Sequence, residues 1–178
     1  MSHLSEKKLE ILQQISNAII LSDNVSSIAN IMLDLAIDHT GAQKGSLMLL
    51  DSRQRLSIFT SRGLDDKLAR TYSVEIGEGI AGYVAQQRQP VLVTDIDADP
   101  RFHQTHDHYK TRSFISCPVI GKSQLLGVLN INDKKDGRPF TEDELTLIQI
   151  IANQAAVSYT HLRAHETVLD LVCRLLLE

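Results

Sequence analysis

Six residues, GEGIAG at positions 77–82, have the glycine spacing that lets a backbone approach a phosphate closely. In a dinucleotide-binding fold this spacing is followed by an acidic residue that binds the ribose, and Asp95 lies at a suitable distance. The same glycines also suit a plain turn into a short helix. The motif is therefore compatible with a nicotinamide-dependent enzyme or with a turn. The helices and strands predicted around it distinguish the two interpretations.

A second polar cluster lies between positions 95 and 108. Its members, all possible metal ligands, are His103, His106, His108, Asp95, Asp97, Asp99 and Asp107. The histidine spacing H-x2-H-x-H is not that of a standard zinc site, and a polar loop of this composition is also compatible with simple solvation. Metal binding stays an alternative here, not the leading interpretation.

The two cysteines, Cys117 and Cys173, match no metal or redox spacing. Cys117 stands before Pro118 in an apolar segment, which favours a small core residue. The sequence shows no nucleophile beside a base and no pair of carboxylates isolated among apolar residues. We therefore expect a protein that is not an enzyme.

Composition narrows the class of protein further. The 178 residues are 43% hydrophobic, which allows one well-buried domain. The 18 basic and 22 acidic residues are interspersed, so no basic stripe is present to bind nucleic acid or an anionic membrane. No apolar run approaches the roughly 20 residues that span a bilayer, and the N-terminus lacks a signal peptide. These features predict a cytoplasmic location.

Hydrophobic spacing predicts two helices at the start of the chain. The first covers residues 5–21, with Leu12, Ile15 and Ile19 at three- and four-residue spacing. The second follows and ends at Gly41. Next come two short apolar segments around the turn residues 51–54, which predict an antiparallel hairpin. A dinucleotide fold would begin with its glycine motif and have a longer crossover helix than the stretch before Pro90, so these elements argue against the nicotinamide enzyme.

Sequence patterns also predict helices and strands in the second half of the chain. A strand precedes the glycines, a helix of about two turns follows them, and PVLVTD is a second extended segment. FISCPVI and LLGVLNIN predict another hairpin around GKSQ. In the closing helix Thr141 and Glu144 form a capping-box pattern, with Phe140 placed to pack on Leu145.

The order of these elements, with GEGIAGYVA, DIDADPRF, CPVI, LLGVLN and PFTEDEL, resembles a GAF domain, a small-molecule sensor module. The resemblance covers residues 25–157. It implies an α+β fold in which a central antiparallel sheet has the terminal helices on one face and a ligand pocket on the other. Gly77 and Gly79 would bend the chain into a short helix whose first N–H groups face the ligand.

The resemblance also implies a set of ligand-binding residues, because relatives that bind cyclic nucleotides have a recognisable pattern. The matching positions here are Ser46, Phe59, Thr60, Ile80, Ala81, Asp107, Thr111 and Asn130. Phe59 would stack on a ring, with core packing as the alternative, and the polar side chains would form hydrogen bonds. The chain departs from that pattern where Asp133, not lysine, follows Asn132, and where Phe140 lies one residue nearer the acidic pair. These departures argue against cyclic nucleotides.

The resemblance suggests a division of the chain. Residues 1–24 would be a signalling or dimerisation helix and residues 25–157 the GAF domain. Residues 158–178 resemble a translated sequencing adapter, which we set aside as an artefact. We expect the natural chain to continue past Val157 into an output domain of the histidine kinase, diguanylate cyclase or transcription-regulator type.

These observations together predict a non-enzymatic sensor of bacterial signalling, such as a two-component system. It would bind a small ligand of unknown identity, with no known cofactor, and form a homodimer through the terminal helices. One alternative is a dimerisation module without a ligand, and another is a metal- or haem-based gas sensor, since gas-sensing relatives exist. The cysteine near the loop that bilin-binding relatives require is absent, as are the several cysteines of relatives that reduce methionine sulfoxide.

Overall fold

The computed structural model describes residues 3–22, 24–102 and 112–176. The helices in this part of the chain are α1 (His3–Leu21), α2 (Val25–Thr40), α3 (Asp66–Thr71), α4 (Gly79–Gln87) and α5 (Glu142–Leu176). Its strands are β1 (Ala42–Leu50), β2 (Arg55–Arg62), β3 (Ser73–Glu75), β4 (Val91–Val93), β5 (Phe114–Gly121) and β6 (Gln124–Lys134). The strands form one antiparallel sheet in the order β3-β2-β1-β6-β5-β4. The predicted α+β class is confirmed.

Helices α1, α2 and α5 cover one face of the sheet, which we call the terminal-helix face. Alternate strand residues such as Leu47 and Leu129 point into this layer because successive side chains of a strand lie on opposite faces. Each helix contributes large apolar side chains to the same cluster, among them Ile11, Ile15, Met32, Leu33, Leu147, Ile148 and Ile151. This cluster is the main hydrophobic core.

Helix α4 covers the opposite face of the sheet, which we call the α4 face. The strand residues between those of the main core point here, and they pack on α4 and on the segment that follows β4. The buried members are Met48, Leu56, Val74, Ile80, Ala81, Val84, Ala85, Val91, Val93, Ile96, Phe102, Phe114 and Val128. The sheet thus separates two apolar layers, and the α4 face is where the resemblance implies a pocket.

Local signals explain where the helices begin and end. The side chain of Asn24 accepts a hydrogen bond from the Ser27 N–H at 2.9 Å and caps α2, which ends at Gly41 with φ of 68°. Glu144 Oε2 accepts from the Thr141 N–H at 2.8 Å, while Thr141 Oγ1 accepts from the Glu144 N–H at 3.3 Å. The predicted end of α2 and the predicted capping box are confirmed.

Both predicted hairpins are confirmed, β1 with β2 and β5 with β6. Asp51 Oδ1 accepts from the N–H groups of Arg53 and Arg55 and holds the first turn. Helix α3 was not predicted. Asp65 caps it by accepting from two N–H groups of its first turn, and none of its residues is buried, so it has no apolar periodicity to reveal it.

The predicted stripe on α1 divides between two surfaces. Ile15 is 1% exposed and belongs to the main core, whereas Leu12 and Ile19 are each 38% exposed. Helix α5 runs without a break through position 157 to Leu176. Tyr159 and Leu162 line a small apolar groove between α2, α5 and the sheet. The adapter origin of residues 158–178 stays a prediction.

Candidate functional site

Two of the expected ligand-binding residues, Ser46 and Asn130, lie directly opposite each other on the neighbouring strands β1 and β6. Because they are two residues from Met48 and Val128, they point to the α4 face. Asn130 Nδ2 donates a hydrogen bond to Ser46 Oγ at 3.4 Å, and Ser46 is 7% exposed. The fold therefore brings together two polar side chains that are 84 positions apart in sequence.

Ser116 extends this pair into a polar row, the name used here for Ser46, Asn130 and Ser116. It faces Asn130 from β5, and its hydroxyl donates to Asn130 Oδ1 at 2.6 Å. Ser116 is fully buried. Sequence analysis missed it, although the signal is present: in FISCPVI it shares the strand face of Phe114 and is a polar residue in an otherwise apolar alternation.

The glycines of the motif 77–82 have structural roles. Gly77 and Gly79 have φ of 93° and 58°, in the left-handed region that favours glycine. A Cβ on Gly82 would lie 2.3 Å from the carbonyl oxygen of Glu75, so only glycine lets α4 lie this close to β3. The motif is therefore a turn into α4.

The first turn of α4 reaches the α4 face, because Ile80 and Ala81 belong to its buried cluster. Glu78, at the N-cap position, makes no side-chain capping hydrogen bond. Instead, its carboxylate accepts from the Glu75 N–H at 3.2 Å. The N–H groups at a helix start and the helix dipole both favour anions, so this turn is suited to an anionic or carbonyl group of a ligand.

Aromatic side chains form one wall of the α4 face. The ring of Phe102 lies edge-on to Phe114, with centroids 5.6 Å apart, and to Tyr83, at 5.2 Å. The Arg101 guanidinium stacks 5.1 Å from the centre of the Phe102 ring. Arg101 also donates two hydrogen bonds to the side chain of Asp99, and this hydrogen bonding holds the pKa of that carboxyl below its usual range. These contacts fix the segment that follows β4 against α4.

Phe59 and Thr60 lie on the other side of the sheet. Phe59 lines the groove between α2 and α5, and the Thr60 hydroxyl donates to Asn30 Oδ1 of α2 at 2.5 Å. A register shift between β1 and β2 at Leu47 and Met48 places an extra residue in β2, so that Thr60 lies opposite Leu47 and, with Phe59, on the terminal-helix face. The geometry thus separates these two residues from Ser46 and Asn130.

The two remaining expected residues, Asp107 and Thr111, lie outside the described residues, as do His103, His106 and His108. Within residues 3–22, 24–102 and 112–176, no group of three histidine, cysteine or acidic side chains is placed to hold a metal ion. A metal site in the loop stays a prediction that the structure does not address.

Cys117 points away from the polar row, into the main core. It is 1% exposed, and burial raises the pKa of its thiol to about 12. A thiol with so high a pKa is almost wholly protonated near neutral pH and is a poor nucleophile. Its placement agrees with the core role predicted from sequence.

Comparison with known proteins decides the family. The sequence profile of the GAF domain matches residues 22–158. The chain belongs to the GAF domain family. The match ends within one residue of the domain boundary that the sequence motifs predict, and this GAF domain includes both faces of the sheet described above.

The relatives of this GAF domain include longer proteins, a regulator and a phosphodiesterase among them. The chain is 24% identical over 153 residues to a Nif-specific regulatory protein of Herbaspirillum seropedicae, covering 82% of this chain and 28% of that protein. It is 28% identical over 156 residues to a dual 3',5'-cyclic-AMP and -GMP phosphodiesterase 11A of Takifugu rubripes, covering 80% of this chain and 17% of that protein. The chain thus spans less than a third of the length of these curated relatives.

A solved structure has the same fold. The GAF domain of an Acinetobacter phosphoenolpyruvate-protein phosphotransferase superposes with a TM-score of 0.76 at 25% identity, covering 92% of this chain and 97% of that one. GAF domains are sensory and regulatory modules of signalling proteins, and the match places this chain among them. Among the described helices, none is both long and apolar enough to cross a bilayer.

Proposed function

We propose that this GAF domain is a non-enzymatic cytoplasmic sensor, and that it binds a small ligand between the polar row and α4. The observation that carries the proposal is the polar row itself. Three hydrogen-bonding side chains lie side by side on neighbouring strands within an otherwise apolar layer. A layer that served only as core would be more stable with apolar residues at these positions.

The hydrogen bonds of the polar row leave capacity for a ligand. Among the described residues, the Ser46 hydroxyl accepts from Asn130 but finds no acceptor for its own hydrogen. A buried polar hydrogen without a partner costs about 1–3 kcal/mol, and a bound acceptor would remove that cost. The first turn of α4 has no side-chain cap and carries Ile80 and Ala81 on the same face, so we expect its N–H groups to supply further donors. The site thus combines an apolar wall with few polar groups, as small-molecule sites do.

The terminal helices provide a route for the signal. Strand β5 carries Ser116 on the α4 face, while its neighbours Ile115 and Cys117 pack in the main core with α5. A ligand that moves the polar row would therefore shift the packing of α5 and of α1 beside it. We propose that this shift reaches an output domain of the histidine kinase, diguanylate cyclase or transcription-regulator type.

A thermal-shift screen tests ligand binding. We expect at least one of a panel of nucleotides, oxo-acids and aromatic metabolites to raise the midpoint of unfolding saturably, since a ligand present at 100 times its Kd adds about 2.7 kcal/mol. Ser46→Ala, which removes a single hydroxyl, should weaken the response to that compound. Thr71→Ala, which removes an exposed hydroxyl that donates to the Lys67 carbonyl within α3, is the control. A panel without any response would favour a dimerisation module that binds no ligand.

The second candidate function, dimerisation, rests on the outer surface of α1. Leu9, Leu12, Ser16 and Ile19 follow the three- and four-residue spacing of a coiled-coil seam. Leu9 is 56% exposed, and Leu12 and Ile19 are each 38% exposed. We propose that α1 pairs with α1 of a second copy through this stripe, weakly because one short helix buries little area.

Substitutions on the two sides of α1 should separate dimerisation from folding. Leu12→Asp with Ile19→Asp should leave the circular dichroism spectrum unchanged and abolish concentration-dependent sedimentation. Ile15→Asp should instead destabilise the monomer by about 3 kcal/mol or more, because it places a charge in the main core. A parent protein that stays monomeric at high concentration would exclude the dimer.

A further inference from the structure

The polar row also determines which kind of ligand the site accepts, an inference that rests on the function proposed above. We propose that Ser116 is a positioning residue: it fixes the amide of Asn130 so that the site offers hydrogen-bond donors. The site therefore selects a ligand that presents an acceptor to Ser46 and Asn130. A carboxylate, a phosphate or a ring carbonyl has the required chemistry.

The distances decide which way the amide faces. An O–H group donates over about 2.5–3.0 Å and an N–H group over about 2.7–3.2 Å. The 2.6 Å between Ser116 Oγ and the near amide atom of Asn130 fits an O–H donor to the carbonyl oxygen and is short for an amide N–H donor. The other amide atom lies 3.4 Å from Ser46 Oγ, which is beyond either range, so the short contact with Ser116 alone decides the orientation. The carbonyl of Asn130 thus faces Ser116 and its NH₂ faces Ser46.

This orientation sets the polarity of the whole row. The carbonyl oxygen of Asn130 is engaged by Ser116, which is fully buried and so cannot turn to water. Among the described residues, the second N–H of Asn130 and the O–H of Ser46 have no acceptor, so the polar row offers two donors to a ligand, beside the one lone pair that each oxygen keeps. With the amide turned over, the same residues would offer an acceptor and suit a cationic or N–H-bearing ligand.

The orientation can be measured in the free protein. In protein labelled with ¹⁵N and ¹³C, nuclear Overhauser effects from the side-chain NH₂ of Asn130 should reach the Hβ protons of Ser46 and not those of Ser116. Ser116→Ala should broaden or shift the Asn130 NH₂ signals, and Ser116→Thr, which restores a hydroxyl, should return them toward the parent positions. Nuclear Overhauser effects from the Asn130 side-chain NH₂ to the Ser116 Hβ protons in the parent protein would overturn the proposal.

The selectivity is tested with two planar probes of similar size that differ in hydrogen bonding and in charge: benzoate, an anion that only accepts, and benzamidine, which is a cation near neutral pH and only donates. Titrations at low and high salt separate the contribution of charge. Titration monitored at the Asn130 side-chain signals should show benzoate binding about tenfold more tightly, since a mismatched buried hydrogen bond costs about that factor. Asn130→Asp replaces the NH₂ donor by an acceptor of the same shape and should reverse the ranking. Ser116→Ala should reduce the preference for benzoate, because the amide is then free to turn. Circular dichroism confirms that each variant is folded.

The outcomes separate this inference from the proposed function. An unchanged ranking in Asn130→Asp, or a parent that prefers benzamidine, overturns the selection of acceptors. If neither probe nor any metabolite of the screen binds while the amide keeps the expected orientation, the sensor function fails and the positioning role of Ser116 stands.

Discussion

Gly127→Ala is expected to destabilise the domain by about 3 kcal/mol or more, a large part of the roughly 5–15 kcal/mol of a typical domain. Gly127 lies in β6 opposite Leu49 of β1 and Val119 of β5. A Cβ at this position would lie 1.9 Å from the carbonyl oxygen of Met48. Because the obstacle is backbone, no rotamer change relieves it, and β1 must move away from β6. Those two strands carry Ser46 and Asn130, so the candidate site would be lost with the pairing.

Gly41→Ala provides the matched control for this substitution. Gly41 has φ of 68°, but a Cβ there would meet nothing within 4 Å. Its cost is therefore the conformational one alone, about 1–2 kcal/mol. Urea unfolding followed by circular dichroism measures both variants. If Gly127→Ala lowers the free energy of unfolding no more than Gly41→Ala does, the sheet relaxes around the added methyl group. That result would contradict the steric argument.

Most of the fold could be predicted from local patterns, because each pattern reports a local physical constraint. The period of the apolar residues identifies α2 and the hairpins, the capping box identifies the start of α5, and Gly41 marks the end of α2. Helix α3 was not predicted from the sequence, because an exposed helix of six residues that is stabilised by an aspartate cap has no buried face and so no apolar periodicity. The strand order was not predicted, since pairing of β1 with β6 depends on contacts distant in sequence.

The candidate site was predicted less completely than the fold, for reasons of register. Ser46 and Asn130 were expected from the family pattern and do lie together. Phe59 and Thr60 were expected beside them, but one extra residue in β2 places both on the terminal-helix face. The sequence of a short apolar segment does not reveal a single-residue bulge. Beyond the bulge, however, each side chain lies on the opposite face of the strand from the one that simple alternation predicts.

The stripe on α1 shows the same limit for helices. The spacing of Leu12, Ile15 and Ile19 predicted one apolar face on α1. The helix has two apolar faces, because it packs on its own domain and also presents apolar residues outward. Ile11, Ile15 and Ala18 face inward, while Leu12 and Ile19 are partly exposed. The periodicity of apolar residues locates the stripes on α1 but does not show which stripe packs against the domain. Only the packed structure distinguishes the residues available for dimerisation from those needed for folding.

Asp133 is the position where the sequence departs from the cyclic-nucleotide pattern, and the structure explains how the fold accommodates an acidic residue there. Its side chain is completely buried, and Oδ2 lies 2.7 Å from the ammonium of Lys44 on the neighbouring strand. The contact is an ion pair and not a well-aligned hydrogen bond. The residue has φ of 57°, a left-handed conformation that aspartate and asparagine tolerate better than most residues.

Lys44→Met should therefore destabilise the domain, by less than the roughly 3–5 kcal/mol of a fully buried pair, because Lys44 is 24% exposed and the substitution removes the cation beside a buried carboxylate at nearly the same side-chain length. Asp133→Asn in the same chain should restore much of the loss, since it removes the buried charge and retains a residue suited to the left-handed backbone. Urea unfolding of the parent, the two single variants and the double variant forms a double-mutant cycle that isolates the coupling. Additive losses would mean that Lys44 stabilises the domain through its alkyl chain and not through Asp133. Strong coupling would show that a lysine on β1 balances the acidic residue at the end of β6.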